Sequence, residues 1–218
     1  MAALSKFLPF VLPHAPSGTD ILAEQAILSA CIEFCTQTLL VQELTTTTVS
    51  AGTQDYTVDV PSGSVLVKVL GVIHEDRWLK PSSIENVRSG VALRGDVGSA
   101  AAVDAAPKVY FQKSPTSDDI SLYPVPAVSI ADGLAVRAAF APSRSAATVN
   151  DVLYDSWAEA IAAGAIARLL LIPNQTFSAA PLAGAYRAQF DAATRRASIQ
   201  ARTGQIAASS RVQLALFA

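Results

Sequence analysis

Residues 154–171 read YDSWAEAIAAGAIARLLL, a run of Ala, Gly and large aliphatics that carries a single arginine among its apolar positions. An α-helix made of it has no continuous polar face, and a helix that is apolar nearly all round has to be covered on most sides. Lipid is a poor cover. From Ala158 to Pro173 the run is interrupted by Glu159 and Arg168 and falls short of the roughly 20 apolar residues a bilayer span needs. The small residues Ala160, Gly164 and Ala167 let a neighbouring helix approach closely, while Trp157, Ile161 and Leu171 fill the space beyond. The segment is therefore expected to be the central helix of a bundle, with Trp157, Ile161, Gly164 and Arg168 as packing residues. Arg168 projects from the same side as Trp157, Ile161 and Gly164. It either pairs with another helix, for which Glu33 is the candidate, or reaches past the apolar face to solvent.

Two further helices are expected to pack with it. Asp20 can cap a helix through ILAEQAILSACIEFCTQTLLVQ to about Gln42, whose apolar arc covers more than half the circumference. Asn150 can cap the central helix, which stops before Pro173. Ser178 can cap the last, with Pro181 in its first turn, where a missing N–H is tolerated, and Gly204 at its end. In that helix Asp191 can pair with Arg187 or Arg195 at a spacing of four.

Between the helices the pattern changes. Tyr56, Val58 and Val60 alternate with Thr57 and Asp59, the period of a strand, and SVLVKVLGVIHEDRWL reads as a hairpin turning at His74–Arg77. A short helix or turn is expected in PSSIENVRSG and a small-residue loop in GDVGSAAAVDAAP; KVYFQKS, ISLYPVP and GLAVRAAFAPS read as three more strands. The expected fold is α+β: an antiparallel bundle of three long helices formed by 1–42 and 150–203, an inserted antiparallel β domain of about six strands at 43–149, and an arm at 204–218. The N-terminal MAALSKFLPFVLPHAPSG, broken by Pro9 and Pro13 and without a small-residue cleavage site, reads as a second extended arm.

The chemistry in the sequence is sparse. Histidine occurs only at 14 and 74, so a zinc site, with about four ligands, would have to be completed from unusual donors. Cys31 and Cys35 sit four apart on one helix, beside its apolar arc, and read as buried thiols in a reducing setting. No G-x-S-x-G elbow, P-loop or G-x-G-x-x-G pattern is present. Glu75–Asp76 and Asp118–Asp119 read as solvated turn carboxylates, and Asn174–Thr176 and Arg94–Asp96 as chance matches to a sequon and an adhesion tripeptide. No catalytic, metal or cofactor residues are assigned. Formal net charge is −2, which lacks the basic field that gathers phosphates, and 16% charged residues against about 25% in an average soluble domain suggests flanks covered by partner subunits.

The segments FLPFVLPHAPSGTDILAEQAILSACIEFC, YTVDVPSGSVLVKVLGV, ISLYPVP and above all NDVLYDSWAEAIAAGAIARLLLIPNQTFSAAPLAGAYRAQFDAATRRA resemble the head-to-tail adaptor, or connector, proteins of tailed bacteriophages. The resemblance covers most of the chain up to about Thr203 and rests on helix packing and turn residues. It implies a structural virion protein of the phage neck, assembled in host cytoplasm into a homo-oligomeric ring of twelve copies. Such a ring would sit beneath the portal protein and meet tail or neck proteins on its other face. Genomic DNA would pass through its channel without sequence-specific binding, and no membrane or cofactor is implied. The C-terminal segment would dock on the portal through Arg202, Arg211, Val212, Leu214, Leu216 and Phe217. Two alternatives stay open: another neck component such as a tail-completion or terminator ring, and a small cytosolic enzyme dependent on Cys31 or Cys35.

Overall fold

The computed structural model describes residues 1–16, 18–88, 106–114 and 116–204. The small-residue loop and the Arg94–Asp96 tripeptide of the sequence reading lie outside the described residues, as does the C-terminal arm beyond Gly204. In chain order come α1 (Leu8–Val11), α2 (Asp20–Thr38), β1 (Gln42–Val49), β2 (Asp55–Thr57), β3 (Ser64–His74), β4 (Arg77–Trp78) and β5 (Lys80–Pro81). There follow α3 (Ile84–Arg88), β6 (Val109–Phe111), β7 (Asp119–Tyr123), β8 (Ile130–Pro142), α4 (Asp151–Leu170) and α5 (Ala180–Thr203). The protein is mixed α+β with antiparallel sheets, and its contacts divide it into two compact units, one of residues 1–40 with 150 onward and the other of Val41–Val149.

In the helical unit α4 packs against both α2 and α5. Ala160 through Ala167 are buried without a break, as a helix lacking a polar face requires. Phe34 from α2, Ile161 and Leu169 from α4, and Phe190 from α5 are fully buried, 0–1% exposed. The N-terminal residues are not an extended arm. Leu4–Phe7 and Leu12–His14 form 3-10 turns on either side of α1, and Phe7 and Val11 are buried. Pro9 and Pro13 sit in the first positions of their turns, where proline starts a helix instead of breaking it.

Helix ends differ from expectation in three places. Thr19, not Asp20, caps α2, its Oγ1 accepting from the Leu22 amide at 3.3 Å while Asp20 occupies the first turn. The helix stops at Thr38, short of Gln42, because Leu39 turns left-handed at φ 54° and β-branched threonines then favour a strand. Ser178 does not cap α5; Ala179 holds that position. The Ser178 hydroxyl instead accepts from the Gln175 amide at 3.2 Å and donates to the Ile172 carbonyl, closing the turn between α4 and α5. Asn150 does cap α4, accepting from the Val152 amide at 3.1 Å, and Gly204 ends α5 at φ 65°.

The second unit holds two four-stranded sheets, ordered β1-β8-β3-β4 and β2-β7-β6-β5, where about six strands were expected. Among the described residues its pairings are antiparallel except one: β5 runs parallel to β6, Lys80 opposite Val109. Parallel neighbours need a long crossover, and the chain between them, which includes α3, supplies it. Val72, Leu134, Val136, Phe140, Ile120 and Leu122 form much of this unit's core. The β3–β4 hairpin turns at Glu75 and Asp76, both left-handed at φ 46° and 63°, the backbone twist a two-residue hairpin favours. His74, read as a turn residue, ends β3 and is 4% exposed.

Candidate functional site

Within the helical unit the charged residues that the sequence scatters over three helices converge on one carboxylate. Glu33 on α2 accepts from Arg168 on α4 and from Arg187 on α5. Arg187 Nη2 lies 2.6 Å from Glu33 Oε1, and its Nη1 3.2 Å from Oε2. Arg168 spends a second nitrogen on its own helix, Nη1 donating to the Gly164 carbonyl at 2.9 Å. Arg187 also pairs through Nε with Asp191 at 3.0 Å, one turn further along α5. Burial works to raise the Glu33 carboxyl, but hydrogen bonds from Arg187 and the charges of Arg168 and Arg187 outweigh it and hold it below the usual carboxylate range. Hydrogen bonding to Glu33 and its charge in turn raise Arg187. The Glu33 side chain is 22% exposed and that of Arg168 29%, so water screens the cluster only in part. Arg187 is the member the sequence reading did not assign; its pairing with Asp191 was visible, its reach across to Glu33 was not.

The remaining packing residues sit close by. Gly164 faces the Phe190 ring so closely that a Cβ there would lie 2.6 Å from Phe190 Cδ2, and Ile161 is fully buried beside it. Trp157 packs on Phe34 with ring centroids 5.4 Å apart, and Phe34 continues to Phe190 at 6.0 Å. Trp157 also has non-helical dihedrals, φ −134° and ψ 15°, which bend α4 near its start. At the bend a groove of about 760 Å³ opens, lined by Phe10, Tyr154, Asp155, Trp157, Glu159 and Arg196 among others. Phe7 meets Tyr154 edge-on at 5.2 Å, and His14 Nδ1 lies 3.1 Å from the Tyr186 hydroxyl. Arg202 lies in the last turn of α5, while Arg211, Val212, Leu214, Leu216 and Phe217 lie outside the described residues.

Cys31 and Cys35 are free and fully buried, and burial pushes both thiols up, that of Cys35 to about 12, so neither is an available thiolate nucleophile near neutrality. Among the described residues no group of three His, Cys, Asp or Glu is placed to hold a metal. No described helix is long and apolar enough to cross a membrane. In the β unit the carboxylates read as solvated turn residues are only partly so. Asp119 belongs to β7 and accepts from Thr57 at 2.6 Å and Ser117 at 2.8 Å, which hold its carboxyl below the usual range. Asp55 is lowered likewise by Lys113 at 2.6 Å and by Ser121. The Thr57–Asp119 and Asp55–Ser121 contacts join residues directly opposite each other on β2 and β7 and support that register.

The family model described as SU10 adaptor protein matches residues 13–213, nearly the whole chain. None of the curated proteins matches it at a significant level.

Proposed function

This chain belongs to the SU10 adaptor protein family, a family of phage head-to-tail adaptors, and on that premise we propose that it forms the adaptor ring beneath the portal of a tailed bacteriophage. The match over residues 13–213 carries the reading. Membership makes the protein a structural virion component and argues against an enzyme. The finer statements are ours: a closed ring of twelve copies, the portal protein on one face, tail or neck proteins on the other, and a channel through which genomic DNA passes. In this reading the helices of 1–42 and 150–203 form a bundle and 43–149 an inserted β domain. The C-terminal segment, through Arg202, Arg211, Val212, Leu214, Leu216 and Phe217, reaches the portal, while Trp157, Ile161, Gly164 and Arg168 hold each subunit's helices together.

Two physical features support it. A ring closes through head-to-tail contacts between two different faces, which a subunit with only 16% charged residues can supply without desolvating many ions. DNA sliding through a channel must not stick, and a net charge of −2 avoids the multiple phosphate contacts that make binding tight. The test is to mix the purified chain with portal rings and image the product by electron microscopy. A ring capping one end of each portal is expected. Absence of any portal complex refutes the proposal, and binding to tail tubes instead moves the protein to a tail-completion or terminator role.

A further inference from the structure

The solvent-facing side of α5 is unusual for an exposed helix. Leu182, Ala185, Ala188, Ala192 and Ile199 lie on it, with Leu182 55% and Ile199 63% exposed. The one acidic residue of α5, Asp191, is 38% exposed at the edge of that side and is paired with Arg187. Toward its C-terminal end the same side carries Arg195, Arg196 and Arg202, none of which pairs with a carboxylate among the described residues. A helix that faces only water is expected to mix both signs of charge. The groove at the bend of α4 has the opposite character. Asp155 and Glu159 line it without an ion-pair partner among the described residues, over an aromatic floor of Trp157, Tyr154 and the 39% exposed Phe10. Arg196 of the same copy lines it too and the Lys6 ammonium lies 5.5 Å over the Tyr154 ring, but among the described residues neither cation forms an ion pair with Asp155 or Glu159, which leaves both carboxylates open to a partner.

We propose that these two surfaces are the two halves of one subunit contact: the exposed side of α5 in one copy packs into the α4 groove of the next, with Arg195 meeting Asp155 and Glu159. The small residues Ala188 and Ala192 allow close approach, Leu182 and Ile199 flank it, and the aromatic floor provides area at low entropic cost. The two surfaces differ, so repetition of the contact is heterologous and propagates around a ring. This rests on the ring reading above and names the surfaces that build it.

Charge exchange tests it without the portal. Arg195→Glu and Glu159→Arg should each raise the concentration at which the purified chain assembles by at least about tenfold, read by analytical ultracentrifugation, and the combined variant should recover most of the loss. Ala192→Trp, on the exposed side, should block assembly while the thermal melt of the monomer stays unchanged. Assembly of Ala192→Trp at wild-type concentrations, or failure of the combined variant to recover, overturns this contact and leaves the ring reading standing. A wild-type chain that stays monomeric at every concentration, and binds portal rings only as separate monomers, overturns both.

Discussion

The tight contact between Gly164 on α4 and the Phe190 ring on α5 gives a quantitative test. Gly→Ala in a helix interior ordinarily stabilises by up to about 1 kcal/mol, through helix propensity and a less flexible denatured chain. At Gly164 the added methyl would lie 2.6, 2.8 and 3.1 Å from three carbons of the Phe190 ring. Carbon atoms rest about 3.5–4.0 Å apart, so ring and helix must separate by roughly 1 Å. Phe190 has no room to yield. It is fully buried, Phe34 lies 6.0 Å away, and the Arg187 guanidinium sits 5.4 Å over its face. Overpacking of this kind costs about 1–3 kcal/mol, which outweighs the propensity gain. Gly184 is the control: it lies within α5, and a methyl there meets nothing within 4 Å. We expect Gly164→Ala to lose about 1–2 kcal/mol and Gly184→Ala to gain up to about 1. For a chain of this length that places Gly164→Ala roughly 2–8 °C below wild type and Gly184→Ala a few degrees above. Calorimetry, with circular dichroism following helix loss, reads both. If Gly164→Ala melts at or above wild type, α4 and α5 do not meet as closely as described and the reasoning fails.

Glu33→Gln leaves Arg168 without a carboxylate and Arg187 with Asp191 alone, and should lower stability by about 1–3 kcal/mol, between the values for exposed and buried pairs. Because the folded state depresses the Glu33 carboxyl, its contribution is fully present above the unfolded value of about 4.3 and is lost as pH falls through the lower folded value. The variant should therefore show a shallower loss of stability in acid than wild type, measured by denaturant titration at pH 6 and pH 3. Arg168→Met should also melt below wild type, and an unchanged melting temperature would count against the pair. The thiols of Cys31 and Cys35 should react with a disulfide reagent only as fast as the protein opens, and completely in denaturant; rapid labelling of the native chain would show that the burial is wrong.

Long-period features of the fold were legible in the sequence because one cause dominates each. The unbroken burial of Ala160–Ala167 follows from the absence of a polar face, and the strand at Tyr56 from alternation. Asn150 and Gly204 act as written because capping is local chemistry. Where two local solutions compete, the pattern did not decide. Thr19 and Asp20 can each cap α2, and the tertiary path selects the first. Pro9 and Pro13 suit an extended arm or the start of a helical turn, and burial of Phe7 and Val11 selects the turn. The parallel pairing of β5 with β6 depends on a crossover whose direction no residue spells out. In the candidate site, Glu33 was visible as a partner for Arg168. Arg187 was not, since its nearest carboxylate in sequence, Asp191, already accounts for its charge.

The sharing of Glu33 has a mechanical side. One carboxylate tied to arginines on two other helices works as a pin through three rods. Sliding α2 by one helical turn, about 5.4 Å, would break both ties at once, whereas two separate pairs could fail one at a time. An axial pull on α5 reaches α2 at that pin, and through Arg168 it reaches α4 at the carbonyl of Gly164, one turn along. Shear among the helices is thus resisted as a block, and the unit can pass a load from end to end with little internal slip.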